Sequence, residues 1–470
     1  MQGKKKILMI LMILTLGVFA FTGCAPTQMS INEPTTEGEM TESVATEAGS
    51  NTESTEADGN TQGVETESAE LDPANPVHVT FYSYSLGFPT MKEGMEHLIQ
   101  EFNDTIGKEK GVIVEGIVDE NYTKNVTDIQ AGNQVDLIQN VFPSLDVAKE
   151  NLGIMAFEDV FPKDELDAHW DGISEAALSL GKIDGKTYGM AFTFSTPILF
   201  INGTLFEEAG LDPNNPPQTW DEVLAAAQQI TEKTGKPGLA FSPSNGWVTY
   251  GLFYSNGAGI FNEDRSQVVF ASPEGVEAIE KWKEFYTSGC AALGTDGEVV
   301  EQFMAGNAGM TLNTTAMLSG IRSSFDALGL ELTGTTMPSF GEKEAIPVNS
   351  GSALVVRPDS DLKAKAIWEF VKYATGPRGY TIITSEIGYL PLRTEIADDP
   401  QYLKPFADEY PLVRVNLTQL DNVRGTIWPA AIATEGSQIF NNAIQVAVST
   451  DADVGETLKK AQYDINALYK

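Results

Sequence analysis

Val77-His78-Val79-Thr80-Phe81, followed after a short loop by Met91-Lys92-Glu93-Gly94-Met95-Glu96-His97-Leu98-Ile99-Gln100-Glu101-Phe102, is the stretch from which the fold is read. The first run alternates apolar and other residues and predicts a half-buried strand. In the second, Met91, Met95, Leu98, Ile99 and Phe102 recur at helical spacing on one face. Thr90 stands as the expected cap with Glu93 three residues on. A strand feeding an amphipathic helix begins a βα unit, and the same grammar continues along the chain. Val112–Val118 and 135–141 read as buried strands with a short helix around 125–131 between them. Further helices are expected at the capping box Thr219-Trp220-Asp221-Glu222, at Ser272-Pro273 and near Asp361, where Ile367, Phe370 and Val371 share a face. A last helix covers 453–468. Alternation of this kind predicts an α/β protein with mixed, mainly parallel sheets.

Outward from this region the composition changes. The chain has 470 residues with 66 acidic and 30 basic side chains, a net charge of −36. At roughly 150 residues per domain that length suggests two or three domains. An acidic surface of this strength repels phosphates and anionic headgroups, so no nucleic-acid partner is expected. Lys4, Lys5 and Lys6 precede an apolar run over 7–21, too short to span a bilayer comfortably, and Phe21-Thr22-Gly23-Cys24 follows. Residues 1–23 are therefore read as an export signal. Residues 25–75 hold 12 acidic residues, no lysine or arginine and no aromatic ring, which predicts an extended, self-repelling tether.

Catalytic chemistry is sparse. His78, His97 and His169 make no metal spacing, and Cys24 and Cys290 make no zinc or disulfide pattern, so no metal and no cofactor are expected. Gly181, Gly185, Lys186 and Thr187 approach a phosphate loop but fall one residue short, and Asp184-Gly185 reads as a type I′ hairpin turn. Ser360-Asp361-Leu362-Lys363 matches a loose nucleophile string without its companions and reads as a helix cap. Asp119-Glu120 has nothing to fix it as a glycosidase pair. Aromatic residues near expected strand ends and loops are more informative: Tyr82, Tyr84, Trp247, Tyr389 and Trp428 suit a ligand with apolar faces and many hydroxyls.

Several segments in this order resemble the family 1 extracellular solute-binding proteins, the lipoprotein receptors of bacterial ABC importers. They are Asp184-Gly185-Lys186-Thr187-Tyr188-Gly189, Phe194-Ser195-Thr196-Pro197-Ile198-Leu199-Phe200-Ile201-Asn202, Leu205-Phe206-Glu207-Glu208-Ala209-Gly210-Leu211, Phe303-Met304-Ala305-Gly306-Asn307-Ala308-Gly309-Met310, Asn349-Ser350-Gly351-Ser352-Ala353-Leu354 and Gly388-Tyr389-Leu390-Pro391. Phe21-Thr22-Gly23-Cys24 resembles a lipobox, although Phe21 replaces the usual leucine, which implies a lipid anchor on Cys24. The resemblance implies a two-lobe clamp of the type II periplasmic-binding kind. Lobe 1 would be 76–193 with 349–390, and lobe 2 would be 194–348 with 391–470. It further implies a monomer held at the outer face of the cell membrane that closes on a carbohydrate and presents it to permease subunits, with no bond made or broken. Within the family the nearest similarity is to the glycerol-3-phosphate branch. By it Ser195, Thr314, Thr315, Gly351, Ser352 and Tyr389 would line the polar end beside Trp247, and Arg424 would meet a phosphate. That branch's carboxylate after the third strand is replaced here by Gln139-Asn140-Val141-Phe142, which favours a mono- or oligosaccharide over sn-glycerol 3-phosphate or a glycerophosphodiester. A secreted hydrolase and a surface adhesion module remain the readings from other classes.

Overall fold

The computed structural model describes residues 70–469. The expected signal, Cys24 and most of the expected tether lie outside the described residues. Residues 70–75, assigned above to the tether, run along the first lobe. Leu71 packs on its core, and Lys365 Nζ reaches Glu70 at 2.7 Å.

Apolar runs at the expected places form two five-stranded sheets. The strands of the first half are β1 (Val77–Ser83), β2 (Val112–Val118), β3 (Leu137–Val141), the hairpin β4 (Lys182–Ile183) and β5 (Lys186–Thr187), and β6 (Met190–Ser195). The second half contributes β7 (Pro197–Asn202), β8 (Leu239–Phe241), β9 (Ala291–Leu293), β10 (Met310–Thr314), β11 (Leu332–Thr336) and β12 (Ser350–Val356). The first sheet has the order β2-β1-β3-β12-β6 and the second β11-β7-β10-β8-β9. Both are mixed. β1 runs parallel to β2 and β3, and β8 parallel to β9 and β10. Every antiparallel pairing within the two sheets involves β7 or β12, the strands by which the chain enters the second lobe and returns to the first. The hairpin turn is as expected: Asp184 and Gly185 have φ of 51° and 82°, the two positive values a type I′ turn needs.

The helices follow their caps, with one correction. Thr219 and Glu222 form the full capping box of helix Trp220–Thr234, and Ser272, Ser360 and Asp453 cap helices Pro273–Thr287, Asp361–Ala374 and Val454–Asn466. The first helix instead begins at Pro89 with Phe88 as its uncapped N-terminal residue, so Thr90 lies inside the first turn. Pro89 needs no N–H partner there and its fixed φ already suits the helix, which moves the start forward.

Each sheet carries its own core. Phe81, Phe102, Phe192 and Phe370 are fully buried around the first, and Phe253, Phe270, Trp282 and Phe440 around the second. After Tyr389 the chain keeps to the first core through Leu390, Leu392, Ile396 and Leu403; Phe406 touches both sides, Val413 is buried with Ile198 and Phe200, and Leu420 returns to the first core.

The chain therefore crosses between lobes three times: at Thr196, between β11 and β12, and between Leu403 and Trp428. One buried amide joins all three crossings. Gln419 Nε2 donates to Thr196 Oγ1 and to the Pro197 carbonyl, each at 3.1 Å, and Gln419 Oε1 accepts the Met337 N–H at 2.8 Å. Asn416 Oδ1 accepts from both Thr196 and Gln419. Gln419→Leu removes the partner of the Met337 N–H and of the Pro197 carbonyl while Thr196 and Asn416 keep each other, and we expect a loss of about 2 kcal/mol in denaturant unfolding.

A second buried group predicts a pH response. His169 Nε2 pairs with Thr375 Oγ1 at 2.7 Å, and the carbonyl of His169 is held by Arg393. Burial first, then the charges of Arg393 and Lys372, push this imidazole down to about 3. The folded state thus keeps it neutral while the unfolded chain protonates it near its ordinary 6.5. Its contribution is complete above pH 6.5 and is lost as pH falls toward 3. Between pH 6.5 and 5 that amounts to about 2 kcal/mol, and His169→Gln should flatten this part of the stability profile.

Candidate functional site

The first sheet ends in a buried polar cluster. Gln139, on β3, accepts from Ser83 Oγ at 2.5 Å and donates to Ser85 Oγ and Ser352 Oγ, each at 3.0 Å. Thr193 Oγ1 lies 2.5 Å from Ser352 Oγ and 3.4 Å from the Tyr84 hydroxyl, which is itself 3.4 Å from that of Tyr389. The structure thus brings Tyr84, Ser352 and Tyr389 together, around a glutamine rather than a carboxylate. Burial pushes the Tyr389 hydroxyl well above its ordinary range, with the neighbouring Tyr84 adding to the effect.

At the crossing itself, Thr314 Oγ1 donates to Ser195 Oγ at 2.7 Å, joining the end of β10 to the end of β6. Thr315 Oγ1 next to it is buried without a partner. Gly351 pairs with Phe194 and has φ +115°, and a Cβ there would stand 2.1 Å from the Thr193 carbonyl oxygen. Tyr82 behaves differently from Tyr84. Its ring joins Val135 and Ile138 in a core, and its hydroxyl donates to Asp128 at 2.7 Å. The turn closed by Gly87 N–H on the Tyr84 carbonyl ends the strand alternation, which is why the two tyrosines part.

Two adjoining cavities open beside these groups. One, of about 560 Å³, belongs to the first lobe and is lined by Tyr122, Asn125, Asn140, Ser144 and Val147 among others. The other, of about 630 Å³, shares Ser144 and Val147 with it and lies between the lobes, with Asn245, Trp247, Tyr250, Asp296, Trp428 and Asn441 on its far wall. Together their linings hold no lysine, arginine or histidine and one carboxylate, Asp296. Asn245 Nδ2 donates to Asp296 Oδ1 at 2.7 Å. Desolvation raises this carboxyl above its usual range, opposed by the hydrogen bonds from Asn245 and Ser242. Asp119 fixes Asn125 by accepting from its N–H at 3.0 Å and its Nδ2 at 2.5 Å. A carboxylate can only accept, so the amide nitrogen must face Asp119 and Asn125 Oδ1 is left as a buried acceptor without a partner. Tyr122, in a turn with φ +56°, sets its ring 5.4 Å from that of Tyr84.

The two predicted tryptophans occupy this wall in different ways. Trp247, early in helix Gly246–Ser255, is partly exposed. Trp428 is buried, donates Nε1–H to the Tyr250 hydroxyl at 2.8 Å and packs edge-on against Phe261. Arg424 lies outside both linings. It is exposed, its guanidinium is stacked 4.3 Å from the centre of the Tyr254 ring, and no carboxylate stands within ion-pair distance of it among the described residues. Tyr122, Asn125, Asn140, Ser144, Asn245 and Asp296 were missed from sequence because neutral amides and hydroxyls are common in loops. The left-handed turn at Tyr122 has no glycine to announce it.

Comparison with known proteins places this geometry. The sn-glycerol-3-phosphate-binding periplasmic protein UgpB of Escherichia coli O1:K1 / APEC is 26% identical over 285 residues, 57% of this chain and 62% of that protein. UgpB of Salmonella typhimurium is 27% identical over 225 residues, 45% of this chain and 50% of that protein. The chain thus spans less than two thirds of the length of these curated relatives. Among solved structures, the cyclic alpha-maltosyl-1,6-maltose binding protein from Arthrobacter globiformis has a TM-score of 0.73 at 24% identity, covering 84% of this chain and 100% of that one. UgpB from Mycobacterium tuberculosis in complex with glycerophosphocholine has a TM-score of 0.71 at 19% identity, covering 84% and 98%. These likenesses show the fold. The model of the bacterial extracellular solute-binding proteins matches residues 97–408, well over half of the 470, and the chain belongs to that family.

Proposed function

We propose that this chain is the substrate-binding component of a bacterial ABC importer, capturing a neutral mono- or oligosaccharide between its lobes and handing it to permease subunits. The observation that carries the reading is the lining of the joined cavities: aromatic rings, amides and hydroxyls, one carboxylate and no cation. Hydroxyl groups donate to Asp296 and to the unpartnered Asn125 Oδ1, which any polyol can supply, but the linings offer no cation to a phosphate, whereas the C–H face of a sugar stacks on a ring. Differential affinity for the closed clamp then drives closure, and no bond is broken. In this reading lobe 1 comprises 76–193 and 349–390, with Leu403 and Leu420 also packed on its core, and lobe 2 comprises 194–348 and 391–470 otherwise. A lipid on Cys24 holds the monomer at the outer face of the membrane.

One observation favours a second reading, a glycerol phosphate or glycerophosphodiester: Arg424 offers an exposed guanidinium free of a carboxylate, and the UgpB relatives are named for such a ligand. Native mass spectrometry of the purified protein, followed by calorimetric titration with maltotriose and with sn-glycerol 3-phosphate, separates the two. Saturable sugar binding that survives Arg424→Ala supports the first. Phosphate binding abolished by Arg424→Ala replaces it with the second, and turnover of either compound overturns both.

A further inference from the structure

Beside the cleft, one side chain of the first lobe grips two separate elements of the second. Asp146 stands in helix Leu145–Asn151, whose Leu145 and Ala148 pack in the first lobe with Ile138 and Val355. Its neighbours Ser144 and Val147 line the cavities and Asp146 does not. Its Oδ1 lies 3.5 Å from Arg265 Nη2, and its Oδ2 accepts the Ala430 N–H at 3.2 Å. Arg265 and Ala430 belong to elements packed on the second core, through Ile260 and Val268 in one case and Trp428 in the other. The ion pair is only partly exposed, with side-chain accessibilities of 16% for Asp146 and 33% for Arg265, so solvent screens it less than a surface pair.

Arg265 is presented with some effort. It has φ +56°, a left-handed conformation that costs a side-chain-bearing residue energy. The turn is held by Arg265 N–H on the Asn262 carbonyl, by Ser266 N–H on Asp264 Oδ1, and by the Tyr469 hydroxyl donating to the Arg265 carbonyl at 2.8 Å. On the first-lobe side, Lys149 pairs with Asp184 at 2.9 Å, and the charges of Asp146 and Arg265 act on that pair from either side.

We infer that Asp146 is a closure latch. It sets ligand affinity by stabilising the closed clamp from beside the cavities, without lining them. A clamp whose closed state carries interlobe contacts of its own is populated in that state before ligand arrives. Removing the contact lowers apparent affinity by the fraction lost, chiefly through faster release. The inference rests on the clamp reading above, so its test is made first without ligand.

The measurement is the distance between a spin label on each lobe in the full chain, at low and high sodium chloride, for the wild type, Asp146→Asn, Arg265→Gln and the double variant. Asp146→Asn keeps an acceptor for Ala430 and removes only the charge, and Arg265→Gln tests the same pair from a surface turn. We expect the ligand-free closed population to fall by about threefold to tenfold in each single variant, the double variant to fall no further, and added salt to open the wild type but not the variants. Any sugar that binds should then be released faster by a similar factor. Closed populations and salt responses equal to the wild type in both variants, with melting temperatures unchanged, overturn the latch. Failure of every sugar to bind, with the ligand-free distances shifted as stated, overturns the carbohydrate reading and leaves the latch standing.

Discussion

Gly351→Ala should cost the folded protein about 4 kcal/mol of stability. The residue has φ +115°, a region open to glycine and costly for any side chain, worth about 2 kcal/mol. A methyl group there would also stand 2.1 Å from the Thr193 carbonyl oxygen and 3.1 Å from Phe194 Cα, backbone atoms that cannot swing away. Forced repacking of that kind adds about another 2 kcal/mol. A total near 4 kcal/mol is a large part of what a typical domain has to lose. The site makes the effect wider than one contact. β12 pairs with β3 on one side and β6 on the other, with a register irregularity between Ser352 and Ala353, and Ser352 belongs to the cluster around Gln139. Chemical denaturation of the wild type and Gly351→Ala would measure the loss, and Gly185→Ala provides the comparison. Gly185 also has positive φ, but it lies on an open turn with nothing within 4 Å of the added Cβ and should cost far less. Equal stability of the wild type and Gly351→Ala would show that the strand can shift to accommodate the methyl group.

That position also shows how far the sequence could be read. The resemblance marked Gly351 as part of a binding site, but the reason a glycine is required there is a close backbone approach that no local pattern encodes. Local grammar was legible: β1, β2, the hairpin at Asp184-Gly185 and the caps Thr219, Ser272, Ser360 and Asp453 all follow from neighbouring residues. Pairings between distant segments were not. β12 lies between β3 and β6 because apolar faces more than 150 residues apart meet in one sheet, and neither strand carries a mark of its partner. The hub at Gln419 and the anchoring role of Asp119, weighed above only as half of an acidic pair, escaped notice for the same reason. Each is an ordinary polar residue whose importance comes from being buried with several partners at once. Tyr82 shows the opposite ambiguity, since a tyrosine near a strand end reads as a ligand platform whichever face it takes, and here its ring packs with Val135 and Ile138 and its hydroxyl donates to Asp128.

Trp247 and Trp428 line one wall of the same cavity, yet their substitutions should separate binding from folding. Trp247 is partly exposed and only borders the second core, so its truncation removes less buried surface than that of a core tryptophan. If a sugar ring stacks on it, the loss falls on the complex. A central aromatic anchor is worth roughly 2 kcal/mol or more, about 30-fold in affinity. We therefore expect Trp247→Ala to weaken carbohydrate binding by about 30-fold while the melting temperature stays within a degree or two of the wild type. Trp428 is 3% exposed, holds the Tyr250 hydroxyl, and packs against Phe261 and Phe440. Its removal opens a cavity in the core and leaves a fully buried hydroxyl without its donor, a cost of roughly 3 to 5 kcal/mol. Trp428→Ala should accordingly unfold at markedly lower denaturant, and whatever folded protein remains should bind weakly because the wall has collapsed. Trp428→Phe restores most of the volume without the N–H donor and should recover more stability than affinity. Calorimetric titration and denaturant unfolding on the three variants decide the matter. If Trp247→Ala binds sugar as tightly as the wild type while Trp428→Phe loses binding without losing stability, the stacking platform is Trp428, and the face presented to the ligand is the inner wall of the second lobe rather than the start of helix Gly246–Ser255.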